Sequence, residues 1–242
     1  MFILCDPVSH VKGTDILNQR LQKEGIDAAV SPLHVAPADL GTLVQAIRKM
    51  KNVAGFGVTI PHKIDVVAHL DDVTAQARLV GSVNFVRREP DGKLIGTNID
   101  GEGFTRGFLQ RGMSFEGRSV LQLGAGATEL TIWNRSSERA ASLAADVASA
   151  NPDCVAVAGD NDPTGYDVLV NTTTAGMKES SVDMVIDGSR ISPGTDIAEI
   201  VINPARTALL QLAEEKGLNW SNGADMLDAQ YELMRDFVGL VK

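Results

Sequence analysis

Apolar and polar positions change their spacing several times along this chain, and each change marks an element. Phe2 to Cys5 is a short unbroken apolar run, as a buried strand requires. Ile16, Leu17 and Leu21 then recur at helical spacing through TDILNQRLQKEG, with Gly25 placed as a C-cap. AAVSPLHV predicts a second strand. Leu40, Leu43, Val44, Ile47 and Met50 repeat at three and four, so residues 38–50 read as an amphipathic helix. It leads to the strand VAGFGVTI and to a helix opening at PHKIDVVAHL with Pro61 in its first turn. SVNFVRRE and KLIGTN flank Pro90-Asp91-Gly92 and predict a hairpin: proline presets φ, aspartate bonds its own backbone, and glycine accepts positive φ.

From Gly101 the pattern shifts. GEGFTRGFLQRG reads as a glycine-punctuated helix linking two lobes. Five apolar, β-rich runs follow: SVLQL, ELTIWN, CVAVAG, DVLVNTT and TDIAEIVI. Helical ERAASLAADVASA and TALLQLAEEKG lie among them, which predicts a doubly wound sheet. A last helix, DMLDAQYELMRDFVGLV, puts Leu227, Tyr231, Met234, Val238 and Val241 on one face. The fold class is α/β in two lobes, with one irregularity. Val120 to Leu123 runs into Gly124-Ala125-Gly126, and the apolar run from Leu130 to Trp133 follows after only Ala127, Thr128 and Glu129. A parallel crossover takes about a dozen residues or more, so a helix is missing near 126–129. Either the deletion is real, or a segment is absent from the numbered chain, which the intact downstream order favours.

Composition narrows the chemistry. The 242 residues, 44% of them hydrophobic, suffice for one large core or two modest ones. A formal net charge of −9 argues against nucleic acid or an anionic membrane as partner and for a small soluble ligand. Cys5 and Cys154 have no C-x-x-C or Cys/His spacing, so no metal site is expected and a reducing compartment fits. No run approaches about 18 apolar residues and the amino terminus lacks a signal-peptide pattern, so the cytoplasm is the expected location. Nothing here sets the oligomeric state; a homodimer is compatible with it.

Two loops carry candidate chemistry. VTIPHK ends a strand, so Thr59 and Lys63 sit at the carboxyl edge where open α/β sheets hold ligands; GTNIDG supplies an amide, a carboxylate and glycines. An ammonium beside a carboxylate can orient a polyhydroxylated substrate and pass a proton to or from one oxygen.

Taken in series, GFGVTIPHK, GSVNFVRREPDGKLIGTNIDGEGF, the Gly-rich turn, NRSSERA, VNTTTAGM, INPARTALL and GADMLDAQ resemble the shikimate dehydrogenase family across nearly the whole chain. The resemblance implies a substrate-binding catalytic lobe at 1–100, with 224–242 packing back on it, and a Rossmann-like NADP-binding lobe at 101–223. Lys63 and Asp100 match its catalytic pair; Thr59, Asn84 and Gln230 match its substrate-binding residues. Gly124, Ala125 and Gly126, then Asn134, Arg135, Ser136 and Arg139, match its NADP-binding pattern. Asn171, Thr172, Gly223 and Met226 fall where the family approaches the cofactor. Three departures concern the substrate. His10-Val11-Lys12-Gly13-Thr14 stands where the family has H-S-x-S-P, with Thr14 one residue off the second serine. Ile202 replaces a tyrosine, and Phe85 follows Asn84 where alanine-valine-asparagine-threonine is the pattern. The expected activity is NADP-dependent oxidoreduction of a cyclic polyhydroxylated acid such as shikimate, 3-dehydroshikimate or quinate, with a natural substrate that need not be shikimate. The alternative is a catalytically silent binding or regulatory homologue that has lost cofactor binding. A related dehydrogenase acting on folate or amino acids fits VTIPHK and NIDG less well.

Overall fold

A computed structural model describes residues 1–11, 13–123, 129–178 and 180–240. The chain forms two compact units, Met1–Gly103 with Ala229–Lys242, and Phe104–Asp228.

The first unit holds β1 (Phe2–Cys5), α1 (Gly13–Glu24), β2 (Ser31–His34), α2 (Leu40–Ile47), β3 (Gly55–Val58), β4 (Asp72–Val73), α3 (Ala75–Val80), β5 (Phe85–Arg88) and β6 (Leu94–Thr97). Its six strands run in the order β2-β1-β3-β5-β6-β4. β1 is parallel to β2 and β3, while β5 is antiparallel to both β3 and β6. Leu4, Val44, Ile47, Phe56 and Val86 form the core on one face of the sheet; Ile3, Leu21, Phe85, Ile99, Tyr231, Met234 and Val238 form it on the other. The alternate glycines of β3 point to that second face. A Cβ at Gly55 would lie 2.2 Å from the Val86 carbonyl oxygen and 3.1 Å from Val238 Cγ1, so only hydrogen lets the last helix approach the sheet this closely. The stripe Tyr231, Met234 and Val238 is thus buried as its spacing predicts, Leu227 is half-buried, and Val241 lies outside the described residues.

The hairpin turns as expected, with Gly92 at φ +89°, and Gly25 ends α1 at φ +69°. The helix expected to open at Pro61 does not form. Residues 61–64 are turns, and only Asp65–His69 makes a short 3-10 helix. The reason is tertiary: the Lys63 carbonyl accepts the Val83 N–H at 2.8 Å, which takes it from any intrahelical donor. β4 and α3 had no sequence signal because 2 and 6 residues are too short to show a period.

The second unit contains most of α4 (Asp100–Gln110), then β7 (Ser119–Leu123), β8 (Glu129–Ile132), α5 (Ser137–Ala150), β9 (Val155–Ala158), β10 (Val168–Asn171), β11 (Asp196–Glu199), α6 (Ala208–Glu215), β12 (Trp220–Ser221) and the start of α7 (Gly223–Val238). All strand pairs are parallel, in the order β12-β11-β10-β7-β8-β9. The strand order reverses between β7 and β10, so the carboxyl ends of those two strands flank the topological switch point at which such sheets bind ligands. Val120, Leu130, Ile132, Ala140 and Ala144 pack with Phe104, Phe108 and Phe115 on one face; Leu121, Leu169, Ile197, Leu209 and Leu210 pack on the other. β7 and β8 pair in register Ser119↔Glu129, and the five residues between them, 124–128, lie outside the described residues. Among the described residues no helix is long and apolar enough to cross a membrane, and no group of acids, histidines or cysteines could hold a metal ion.

Candidate active site

β3 ends at Val58 and the chain turns so that His62 is wholly buried, its Nε2 2.8 Å from the Val35 carbonyl. That anchor leaves the next side chain, Lys63, at the opening. On the opposite flank β6 ends at Thr97, and Asn98 caps the start of α4 by accepting the Asp100 N–H at 3.0 Å. Asn98 is itself fixed by a 2.8 Å bond to Ser82 Oγ. The two flanks meet in an ion pair, Lys63 Nζ to Asp100 Oδ2 at 2.5 Å, with side chains 31% and 32% exposed. Such a pair is reachable by a guest molecule and yet partly desolvated, which strengthens its field.

The other carboxylate oxygen, Oδ1, accepts from Asn84 Nδ2 at 2.8 Å and from Gln230 Nε2 at 3.0 Å. Asn84 is buried and its Oδ1 takes the Ile99 N–H at 3.0 Å, so both ends of its amide are engaged within the protein. Gln230 reaches Asp100 only because residue 103 is glycine, since a Cβ there would stand 2.3 Å from Gln230 Cγ. The effect is a carboxylate held in one rotamer by two amides on one oxygen while the other faces the ammonium. Chemically, Asp100 aims Lys63, and the Lys63 ammonium can donate a proton to an oxygen gaining negative charge. Thr59 is half-exposed after β3 and Thr14 is buried in the first turn of α1; neither joins the hydrogen bonds around Asp100. Lys12 lies outside the described residues.

In the second unit Gly124, Ala125 and Gly126 also lie outside the described residues. Beyond β8, Asn134 Oδ1 accepts the Ser136 N–H at 3.1 Å and Ser136, the N-cap of α5, accepts the Arg139 N–H on its Oγ at 3.3 Å. Arg135 and Arg139 are exposed beside that cap, and no acid stands among residues 134–137. Two guanidiniums at a helix start fit a phosphate dianion and leave a ribose 2′-hydroxyl without its usual carboxylate partner. Gly223 is close-packed: a Cβ there would lie 2.4 Å from the Ile200 carbonyl oxygen, and Met226 follows one turn into α7.

Asn171 ends β10, and its side chain is engaged by its own unit. Its Nδ2 lies 3.1 and 3.0 Å from the two carboxylate oxygens of Glu199, and its Oδ1 accepts from Thr173, so its amide is spent inside the unit. Glu199 lies outside the motifs that carry the family resemblance. The signal was there, an acid inside the apolar run TDIAEIVI, where a lone charge must find partners. Asn98 was within the quoted TNIDG motif; Gly103 gave no signal at all.

Comparison with known proteins agrees with the geometry. Residues 3–86 match the shikimate dehydrogenase substrate binding domain. The NADP(+)-dependent shikimate dehydrogenase of Geobacter metallireducens is 36% identical over 257 aligned positions, covering 93% of this chain and 86% of the relative. The chain belongs to the shikimate dehydrogenase family. A shikimate dehydrogenase crystallised with NADP+ superposes with a TM-score of 0.91 at 25% identity, covering 100% of this chain and 90% of that one. The ligand-free 5-ketofructose reductase of a Gluconobacter strain superposes with a TM-score of 0.85 at 28% identity, covering 98% and 91%. Of the first-unit residues that the family resemblance selects, Lys63, Asn84 and Gln230 lie within hydrogen-bonding distance of Asp100, and Thr59 does not.

Proposed function

We propose that the protein is an NADP-dependent oxidoreductase that reversibly interconverts a secondary alcohol and a ketone on a cyclic polyhydroxylated acid of the shikimate or quinate type. The observation that carries this reading is the 2.5 Å Lys63–Asp100 pair with Asn84 and Gln230 closing the far carboxylate oxygen. When bound, NADP(H) supplies or takes up the hydride at the reacting carbon. Lys63 Nζ holds the reacting oxygen, gives it a proton as the ketone is reduced and takes one as the alcohol is oxidised. Asp100 offsets the ammonium charge and fixes its direction through both steps. Arg135 and Arg139 hold the 2′-phosphate of the dinucleotide. Family relatives named for NADP support this cofactor.

A second substrate reading is favoured by a specific feature. Val11 and Gly13 occupy the positions where the family places serine hydroxyls, and a 28% identical structural relative is a 5-ketofructose reductase, named for an uncharged keto sugar. The decisive experiment follows NADPH absorbance at 340 nm with the purified protein against 3-dehydroshikimate, the quinate ketone and 5-ketofructose. Turnover of either acid supports the first reading; turnover of 5-ketofructose alone selects the second; no turnover and no NADPH binding at millimolar cofactor leaves a silent binding homologue. Swapping NADPH for NADH in the same assay, with Arg135→Ala, tests the phosphate contact. A NADPH KM unmoved by that substitution removes the arginine from its role.

A further inference from the structure

Glu199 is the one described acid whose carboxylate is only 1% exposed and is held by neutral donors alone. It stands at the last position of β11, directly across the ladder from Asn171 at the last position of β10. Asn171 Nδ2 bridges both its oxygens, the Val201 N–H reaches Oε1 at 3.0 Å, and the Thr207 hydroxyl donates to Oε2 at 3.1 Å. Thr207 is in turn the N-cap of α6.

The bonds continue outward from Asn171. Its Oδ1 accepts the Thr173 N–H at 3.0 Å and the Thr173 hydroxyl at 2.7 Å, Thr173 Oγ1 accepts the Ala175 N–H at 3.1 Å, and Asn171 Nδ2 also reaches the Ala175 carbonyl at 3.2 Å. The loop after β10 is therefore wound around one amide, held at its nitrogen by a buried carboxylate and the Ala175 carbonyl and at its oxygen by the Thr173 N–H. An amide has two nearly isosteric orientations, and acceptor-only partners at its nitrogen together with donor-only partners at its oxygen fix which end points where. Glu199, whose two oxygens receive only donors, is one such partner. Flipping Asn171 would set its oxygen against two carboxylate oxygens and strip the Thr173 N–H of its acceptor.

This loop lies at the carboxyl end of β10, one flank of the switch point at which a dinucleotide binds. We propose that Glu199 is a positioning residue for the dinucleotide: by fixing the Asn171 amide it sets the backbone of residues 172–176 that lines the cofactor crevice. The inference rests on the NADP reading above. Glu199 touches no ligand in this scheme and acts through Asn171 and Thr173.

The test measures NADPH binding by nicotinamide fluorescence, together with the melting temperature of each variant. Absence of binding by the unaltered protein overturns the cofactor reading itself and is seen before any variant is compared. Given binding, Glu199→Gln is expected to weaken NADPH by about 10- to 100-fold, because an amide facing an amide leaves one donor unpaired. The exchange Asn171→Asp with Glu199→Gln restores one donor opposite one acceptor and is expected to recover about tenfold. Thr173→Val leaves the bonds between Glu199 and Asn171 in place and removes those by which Thr173 ties the loop to them, with an expected loss of roughly fivefold at a melting temperature close to the parent's. A dissociation constant for Glu199→Gln within twofold of the unaltered protein, even with a lowered melting temperature, overturns the proposal. Should Glu199→Gln not fold, Thr173→Val decides: equal NADPH affinity overturns the proposal, and the stated loss supports it.

Discussion

Two carboxylates, Asp100 in the first unit and Glu199 in the second, are each gripped by side-chain amides at the carboxyl edge of a sheet, yet they are built for different work. Asp100 is about one-third exposed, and one of its oxygens pairs with the Lys63 ammonium. Glu199 is sealed at 1% exposure with hydroxyl, amide and backbone donors and no cation among the described residues. An exposed ion pair can exchange partners with a guest; a buried, fully hydrogen-bonded carboxylate cannot do so without leaving donors unpaired. Exposure and the charge of the partners, more than the amides they share, separate a group poised for chemistry from one that holds a loop.

The sharpest way to break this contrast is Lys63→Ala. It removes the proposed proton donor and is expected to cut kcat by about a hundredfold to ten-thousandfold while the melting temperature stays close to that of the parent. Steady-state rates at 340 nm and a thermal melt read both, and undiminished turnover excludes the lysine from the reaction. Asp100→Asn comes next. It leaves Lys63 without its counter-charge and sets an amide against Asn84 and Gln230. The expected cost is roughly a hundredfold in kcat, about 2.7 kcal/mol of lost transition-state stabilisation. If kcat holds and only KM rises, the carboxylate is a binding group alone.

Gly103→Ala sharpens the comparison by moving Gln230 and nothing else in the pair. The new methyl would fall 2.3 Å from Gln230 Cγ, so the glutamine must leave Asp100 Oδ1. A drop of about tenfold in kcat/KM is expected, the loss of one hydrogen bond to a charged group. An unchanged kcat/KM would show that Asn84 alone suffices to hold the carboxylate.

The smallest effect is on stability against pH. Burial pushes the Glu199 carboxyl above its ordinary value of 4.5, with the donors from Asn171, Val201 and Thr207 opposing the shift. The folded state then binds its proton more tightly than the unfolded state does. Its contribution to stability is full below 4.5 and is lost as pH rises through the folded value. Glu199→Gln should therefore flatten the fall in unfolding free energy above pH 4.5, measured by urea melts at several pH values. Asp167 works the opposite way. The Ser119 backbone and hydroxyl hold its carboxyl below the ordinary value, so its contribution is present above 3.8 and lost as pH falls. A parallel slope in the Glu199 variant and the parent would contradict the burial effect.

Much of this was legible in the sequence. Strands such as Phe2–Cys5 and Val168–Asn171 show as apolar runs, and Gly25 and Gly92 mark their turns because no other residue takes positive φ freely. Lys63 and Asp100 stood out because each follows a strand within a polar, glycine-bearing loop. Asn171 was legible as a residue near the cofactor crevice but not as one whose amide is consumed by Glu199. Residues 61–64 form a turn where the pattern predicts helix, because local spacing does not report that Val83, about twenty residues on, claims the Lys63 carbonyl.

The sequence by itself determined the alternation of strands and helices, the two lobes and the residue types available for proton transfer, because periodicity, turn chemistry and charge are local properties of a chain. Only the tertiary structure decided which amide serves which carboxylate, that Gln230 reaches Asp100 across 130 residues of chain over a glycine, and that Glu199 is sealed while Asp100 is open. Those outcomes depend on distances between groups far apart in the chain and on how much water each retains, quantities that exist only once the backbone has closed around them.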